Sequence, residues 1–245
     1  MSAGLVDGVL FDIDDTLVDT RAAFMCALAA TSAAYLPDLP AERYGEVLAL
    51  WRTDPSGYFR RFANGELGYD EQRMARANQM HEMFGGPVLD ETGFQEWDGV
   101  FQAGLLGAWS AHDDAARVVA DLVAAGVVVG ALSNAEVAGQ TSKLERVGLG
   151  QWVPMLVGVD TLGFGKPDPR VFLEACRLLG TAPARTAYVG DEFDIDARAA
   201  VEAGLVGVWL DRPLSRRQVV TDADVAAAGV VVVQGLDALR AALEL

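Results

Sequence analysis

The sequence predicts an α/β fold, a doubly wound parallel sheet that carries a helical insert after its first strand. Short apolar runs rich in β-branched residues alternate with segments of helix length, which is typical of strands buried on both faces of a parallel sheet. The alternation is interrupted once, between residues 19 and 109, where no strand-like run occurs. We therefore expect a core domain formed by residues 1–18 and 110–245 and a helical cap domain formed by residues 19–109.

Six runs have the length and apolar character of buried strands. They are Gly8 to Phe11, Val127 to Leu132, Met155 to Val159, Thr186 to Val189, Val206 to Leu210 and Val230 to Val233. The segments between them have helix length, and most end at a glycine, namely Gly126, Gly148, Gly180 or Gly204. Because a glycine just past a helix is a stop signal, strands and helices alternate regularly, as right-handed crossovers in an α/β layer require.

The insert favours helices throughout its length. Helix-forming stretches at residues 21–35, 41–52 and 69–84 are separated by turn residues such as Pro55 and Gly85. We interpret these helices as a cap that packs over the sheet.

Charge and composition exclude several classes of protein. The formal net charge is -16, whereas surfaces that bind nucleic acid or anionic membranes depend on accumulated positive charge. No stretch approaches the roughly 18 consecutive apolar residues of a membrane span, and the first residues carry no basic leader. Two cysteines and two histidines are too few for a disulfide framework or a zinc site. We expect a soluble cytoplasmic protein, as a monomer or a homodimer.

Polar residues follow the first four predicted strands at their carboxyl ends. Ligands of open parallel sheets bind beyond these ends, so we expect the polar residues to meet at one rim of the sheet. They are Asp12, Asp14 and Thr16 after the first strand, Ser133 and Asn134 after the second, Lys166 in the loop after the third, and Asp191 and Asp196 after the fourth.

The acids of this rim predict a metal site. Asp12 and Asp14 are two positions apart, so their side chains point the same way while the chain is extended. Together with Asp191 and Asp196 they concentrate negative charge, which raises carboxyl pKa values unless a cation is present. Oxygen donors without histidine or thiolate favour Mg²⁺.

The same residues suit phosphoryl transfer. One carboxylate attacks phosphorus to give an aspartyl-phosphate, and a second protonates the departing alcohol and later activates water. Ser133 and Asn134 either hold phosphate oxygens, with nearby backbone N–H groups, or cap the helix that follows. Lys166 supplies positive charge to the transition state, and Thr16 caps a turn or orients the loop of the nucleophile.

At this point four segments resemble, in order and spacing, the motifs of the haloacid dehalogenase superfamily. They are Asp12-Ile13-Asp14-Asp15-Thr16, Ser133-Asn134, Lys166-Pro167-Asp168-Pro169, and Gly190-Asp191 followed by Asp196. The resemblance extends over about residues 7–210, with the insert in the position of the family's cap. It implies that Asp12 is the nucleophile and Asp14 the general acid and base. It further implies that Mg²⁺ is held by the Asp12 carboxylate, the Asp14 backbone carbonyl and the Asp191 carboxylate, with Asp196 as a further partner.

Within this resemblance the favoured function is a phosphatase that acts on a small phosphorylated metabolite. A 2-haloacid dehalogenase has no alcohol oxygen to protonate and does not need Asp14, and a phosphonatase needs a cap lysine, whereas the first lysine of the chain is Lys143. A phosphomutase retains the aspartate pair and stays an alternative. A phospho-accepting signalling module gathers similar residues but lacks a large insert. Within the cap, Arg73 and Tyr58 are the favoured contacts for the leaving group, whose identity the sequence leaves open.

Overall fold

The computed structural model describes residues 6–63, 65–212 and 219–245. Residues 1–5 and 213–218 of the predicted core domain and residue 64 of the predicted cap domain lie outside the described residues. The chain forms two compact units, one of Met1–Asp19 with Ser110–Leu245 and the other of Thr20–Trp109. We call them the α/β unit and the helical unit.

The α/β unit contains a six-stranded sheet in the order β3-β2-β1-β4-β5-β6. All neighbouring strands are parallel, which confirms the predicted doubly wound α/β fold. The order reverses beside β1, and ligands bind at such a reversal in open sheets. The strands are β1 (Gly8–Phe11), β2 (Val128–Leu132), β3 (Leu156–Val157), β4 (Thr186–Gly190), β5 (Val206–Leu210) and β6 (Val231–Val233).

The two faces of the sheet are covered separately. Along β1, Val9 and Phe11 belong to one buried hydrophobic cluster, while Leu10 between them belongs to another. This alternation is that of a strand buried on both faces, so every residue of β1 is apolar or glycine. The helices of this unit are α6 (Ala115–Ala124), α7 (Val137–Arg146), α8 (Val159–Leu162), α9 (Pro169–Leu179), α10 (Ala199–Glu202), α11 (Asp222–Ala228) and α12 (Leu239–Ala242).

The second, fourth and sixth strands differ from the predicted runs by one residue each, and the third differs more. The third strand is two residues long rather than five, because Val159 begins α8 with Gly158 as its N-cap. The segment between β4 and β5, which has helix length in the sequence, begins as a π-helical turn, Phe193–Arg198, which α10 continues. Such turns are frequent at functional sites, and this one contains Asp196.

The described part of the helical unit contains five helices and a short 3₁₀ segment, Ala41–Arg43. The helices are α1 (Thr20–Tyr35), α2 (Tyr44–Thr53), α3 (Tyr58–Ala63), α4 (Tyr69–Phe84) and α5 (Glu91–Ala108). Its buried cluster is rich in aromatic residues, with Trp97 stacked against Trp51 and Phe101. No described helix in either unit combines the length and the hydropathy needed to cross a membrane.

The longest helix of the helical unit, α5, is not among the predicted helices. Its 18 residues include four glycines, which disfavour a helix by about 1 kcal/mol each relative to alanine. Packing overrides this preference, since a Cβ on Gly104 would lie 2.9 Å from the Cα of Ala27 in α1. The glycine is therefore what allows α1 and α5 to approach closely. Asp90 caps the helix by accepting a hydrogen bond of 2.8 Å from the Gly93 N–H.

Candidate active site

The chain turns sharply where it leaves β1. The Asp12 N–H donates to the Val189 carbonyl at 2.8 Å, which extends the pairing of β1 with β4 by one residue. Asp15 then adopts a left-handed conformation, with φ of 58°, that aspartate tolerates better than most residues. Its N–H donates to the Val18 carbonyl at 2.8 Å. This turn leaves Asp12 buried and Asp14 partly exposed at the carboxyl end of β1.

Three buried aspartates meet at this point. One carboxylate oxygen from each of Asp12, Asp191 and Asp196 lies within 4.8 Å of the other two. Asp196 can enter the cluster because Gly190 has no side chain, since a Cβ there would lie 2.4 Å from the Asp196 Cγ. The Glu192 N–H donates to the Asp196 carboxylate at 3.0 Å and fixes its orientation. The predicted convergence of the first and fourth strand ends is thus present in the structure.

Lys166 is the cation of this cluster. Its Nζ donates to Asp12 at 2.8 Å, to Asp196 at 2.7 Å and to the Tyr188 hydroxyl at 2.7 Å. The Tyr188 hydroxyl in turn donates to the Leu132 carbonyl at 2.9 Å. All three ammonium protons therefore have acceptors, as a lysine that is almost fully buried requires, and these bonds fix its position.

The electrostatics of the cluster leave an excess of negative charge. The pKa of Asp12 is raised to about 7, chiefly by burial, with Lys166 opposing the shift and Asp196 and Asp14 adding to it. Burial disfavours the Lys166 ammonium, but Asp12 and Asp196 together outweigh burial and raise its pKa. Lys166 forms ion pairs with Asp12 and with Asp196. Oxygen donors with this charge imbalance fit a hard divalent cation such as Mg²⁺.

Asp14 is held by a separate pair of donors. Lys143 Nζ lies 2.5 Å from one carboxylate oxygen, and Gln140 Nε2 donates to the other at 2.6 Å. Gln140 and Lys143 are three residues apart on α7, so they share one helix face. Neither residue is predicted from the sequence. Lys143 is one of two lysines in the chain. It follows Gln140 by three residues on a helix that begins near the rim, and this spacing is the signal that could have identified the pair.

The residues after β2 connect these groups. The Ser133 Oγ accepts hydrogen bonds from Gln140 Nε2 at 3.1 Å and from the Ala135 N–H at 3.2 Å. Asn134 uses both ends of its side-chain amide on the backbone of Lys166, accepting from its N–H at 2.6 Å and donating to its carbonyl at 2.9 Å. Asn134 therefore fixes the Lys166 loop, a contact that the predicted role in phosphate binding does not include.

Comparisons with known proteins agree with this geometry. A family model described as haloacid dehalogenase-like hydrolase matches residues 6–204. The chain belongs to the haloacid dehalogenase-like hydrolases. A glyceraldehyde 3-phosphate phosphatase from Methanothermobacter thermautotrophicus is 28% identical over 219 residues, which are 87% of this chain and 89% of that protein. A phosphoserine phosphatase from Thermus thermophilus is 35% identical over 103 residues, or 42% of this chain and 41% of that protein.

Solved structures share the fold of this haloacid dehalogenase-like hydrolase. The hydrolase YfnB from Bacillus subtilis, in a structure bound to magnesium, has a TM-score of 0.74 at 20% identity and covers 98% of this chain and 99% of its own. An L-2-haloacid dehalogenase from Xanthobacter autotrophicus has a TM-score of 0.68 at 19% identity, with 98% of both chains covered. Phosphatases and dehalogenases thus both resemble this chain, and the reaction has to be argued from the site.

The other predicted residues of this hydrolase lie in different surroundings. Thr16 is fully buried in the α/β unit, and its Oγ1 has no hydrogen-bond partner among the described residues. Tyr58 lies half-buried at the start of α3, where its N–H donates to the Asp54 carboxylate at 3.1 Å.

Arg73 lies in the interior of the helical unit. It pairs with Asp98, and its guanidinium lies 4.7 Å from the centre of the Phe101 ring. These are the surroundings of a core arginine, and a contact of Arg73 with substrate stays a prediction.

Proposed function

We propose that this hydrolase removes phosphate from a small phosphomonoester through an aspartyl-phosphate on Asp12. The proposal rests on one observation: the two carboxylates at the end of β1 are bound by different partners. Asp12 is buried and bonded to Lys166, while Asp14 is partly exposed and bonded to Lys143. A nucleophile and a proton carrier need different surroundings, and these two acids have them.

The first step forms a bond between an Asp12 carboxylate oxygen and phosphorus as the ester P–O bond breaks. The departing alkoxide takes its proton from Asp14. Lys166 donates to Asp12 Oδ1, which leaves the other oxygen of that carboxylate for the attack. Lys166 and the Ser133 hydroxyl supply positive charge and a hydrogen bond to the phosphate oxygens, where charge develops.

The second step hydrolyses the aspartyl-phosphate. Asp14 takes a proton from water, the water oxygen attacks phosphorus, and the bond to Asp12 breaks, which regenerates the carboxylate and releases phosphate. Gln140 and Lys143 bond one oxygen each and thereby keep the carboxylate in one orientation.

Residues of the same cluster would hold Mg²⁺. The ligands would be the carboxylates of Asp12, Asp191 and Asp196 and the backbone carbonyl of Asp14. When bound, the ion supplies positive charge that offsets both the aspartates and the phosphate oxygens. We also propose that the helical unit acts as the cap that selects the leaving group and that the enzyme works in the cytoplasm, where free cysteines such as Cys26 and Cys176 are stable.

A substrate panel tests this function. We expect phosphate release from phosphomonoesters in the presence of Mg²⁺, with glyceraldehyde 3-phosphate, phosphoserine and phosphoglycolate included because relatives of this chain are named for them. Chelation by EDTA should abolish release, and added Mg²⁺ should restore it. Asp194→Asn serves as the control for substitutions in the aspartate cluster and should release phosphate as the wild type does. Asp194 lies near the cluster in sequence but pairs with Arg198 at 3.0 Å. Halide release from 2-haloacids without phosphate release, or isomerisation of a sugar phosphate without net release, would contradict the proposal.

A further inference from the structure

The helical unit contains a cavity of its own. It has a volume of about 430 Å³ and lies where α2 ends and α3 begins. Arg52, Arg60 and Arg76 line it, and Asp54 is the one acid among its described lining residues. Three guanidinium groups therefore face one carboxylate in a chain whose overall charge is strongly negative.

Asp54 is bonded to the backbone as well as paired with Arg76. Its two carboxylate oxygens accept the N–H groups of Tyr58 at 3.1 Å and Phe59 at 2.8 Å, so the side chain fixes the start of α3. Its nearest approach to Arg76 is 4.0 Å, the outer limit of an ion pair. One carboxylate is thus shared between the backbone of α3 and Arg76, so the guanidinium groups of Arg60 and Arg76 outnumber the carboxylates among the described residues that line the cavity.

Arg76 is a mostly buried cation whose hydrogen-bond acceptors are neutral. Its guanidinium lies 4.1 Å from the centre of the Trp51 ring, and it donates to the Trp51 carbonyl and, at 3.4 Å, to the Gln72 side chain. Its Nε has no hydrogen-bond partner among the described residues. The pKa of Arg76 is lowered to about 10, chiefly by burial, with Asp54 opposing the shift and nearby Arg73 adding to it. An anion in the cavity would reduce this cost of burying charge.

Arg60 presents a second guanidinium at the exposed side of the cavity. Its Nη2 lies 2.8 Å from the position that a Cβ on Gly57 would take, so the group lies directly over that glycine. Gly57 also has a φ of +67°, which favours glycine for a second reason. In the part of the chain that the structure describes, no carboxylate lies within 4.0 Å of Arg60, although its neighbour Arg61 approaches Glu66 at 3.6 Å.

We propose that this cavity binds a small organic anion through a carboxylate or phosphate group. Planar guanidinium groups bind both by paired hydrogen bonds, and the volume is within the range of small-metabolite sites. The anion is either the leaving group of the phosphatase substrate or a separate metabolite. Both sources have the same chemistry, and experiment can distinguish them.

Nuclear magnetic resonance of arginine Nε–Hε groups in the full chain tests the site. Inorganic phosphate and succinate serve as probes, with EDTA present so that the aspartate cluster remains without metal and repels them. We expect saturable shifts of the Arg76 and Arg60 resonances and a loss of affinity of about tenfold in Arg60→Gln. Arg61→Gln is the matched control, since it removes the same charge one residue along and should leave the affinity unchanged. Absence of saturable shifts, or equal weakening by both substitutions, would overturn the proposal.

Kinetics then identify the source of the anion. If the leaving group occupies the cavity, Arg60→Gln raises KM for phosphomonoesters whose leaving group carries a carboxylate. It leaves KM unchanged for phosphomonoesters whose leaving group is uncharged. If a separate metabolite occupies it, Arg60→Gln lowers the affinity for succinate by about tenfold while both KM values stay the same. The resonance titration needs no turnover, so the anion site can be confirmed or excluded even if the proposed phosphatase function fails.

Discussion

The two units of the chain bury charge of opposite sign and compensate it differently. In the α/β unit, Asp12, Asp191 and Asp196 are buried together, and Lys166 bonds two of them. In the helical unit, Arg73 and Arg76 are buried against aromatic rings, with carboxylates at their edges. A dense cluster of buried carboxylates needs a cation to compensate its charge, and such clusters often take part in catalysis. Aromatic faces stabilise a guanidinium without any ligand, so a buried arginine by itself indicates structure more often than function.

The largest effect expected from this contrast is the loss of turnover in Asp12→Asn. The amide is a poor nucleophile, so kcat should fall by at least about 10⁴-fold while the protein stays folded. Phosphate release and circular dichroism of the same preparation check both parts. Retention of Mg²⁺-dependent turnover would instead assign a structural role to the buried aspartates.

Arg73 offers the corresponding test in the helical unit. Asp98→Asn should reduce the free energy of unfolding by about 2 kcal/mol, because it leaves a mostly buried guanidinium without its carboxylate. Urea denaturation measures this, with Glu46→Gln as control, since the Arg43–Glu46 pair is exposed and its loss should not be detectable. A rise in KM without a loss of stability would instead assign Arg73 to the substrate.

Lys143 provides a smaller effect within the α/β unit. Lys143→Met removes the donor on one oxygen of Asp14 but leaves Gln140 on the other, so kcat should fall by about 10-fold to 100-fold. Steady-state kinetics with Lys143→Arg as the conservative variant check this, and the arginine should restore most of the rate. Equal rates for the wild type and Lys143→Met would place Lys143 outside the catalytic machinery.

The smallest effect concerns Asp114, which lies outside the cluster. Burial raises its pKa, but hydrogen bonds from Arg212 at 2.7 and 3.0 Å and from the Leu236 N–H outweigh burial, so the pKa is lowered overall. A lowered pKa in the folded state gives stability that is present above pH 4 and is lost as the pH falls below the unfolded value of about 3.9. Asp114→Asn should therefore cost about 1–2 kcal/mol near neutral pH and progressively less in acid. A cost that stays constant down to pH 3 in denaturation curves would contradict this assignment.

Much of the fold follows from the sequence because its signals are local. Apolar runs specify β1 and β5 to the residue, and glycines with positive φ end the helices where predicted. The convergence of Asp12, Asp191 and Lys166 follows from the rule that parallel strands end at one rim. These features need no knowledge of packing.

The remainder depends on packing between distant residues. Helix α5 is glycine-rich and forms because its aromatic face and the close approach of Gly104 to α1 outweigh propensity. The contacts of Gln140 and Lys143 with Asp14 depend on the rotation of α7, which sequence periodicity does not fix. Asn134 resembles a phosphate ligand in sequence, while its bonds to the Lys166 backbone become visible once the loop is placed.

The proposed mechanism places phosphate on Asp12 during turnover, and trapping this intermediate is the sharpest test. Asp14→Asn removes both the proton donor of the first step and the base of the second. An aryl phosphate whose leaving group departs without a proton should still phosphorylate Asp12, so a brief reaction with such a substrate and Mg²⁺ should leave phosphate on the enzyme. After an acid quench, peptide mass spectrometry should then find one phosphoryl group on Asp12 and none in the Asp12→Asn, Asp14→Asn double variant. Phosphate on another residue, or full activity of Asp14→Asn with no trapped phosphate, would contradict the account.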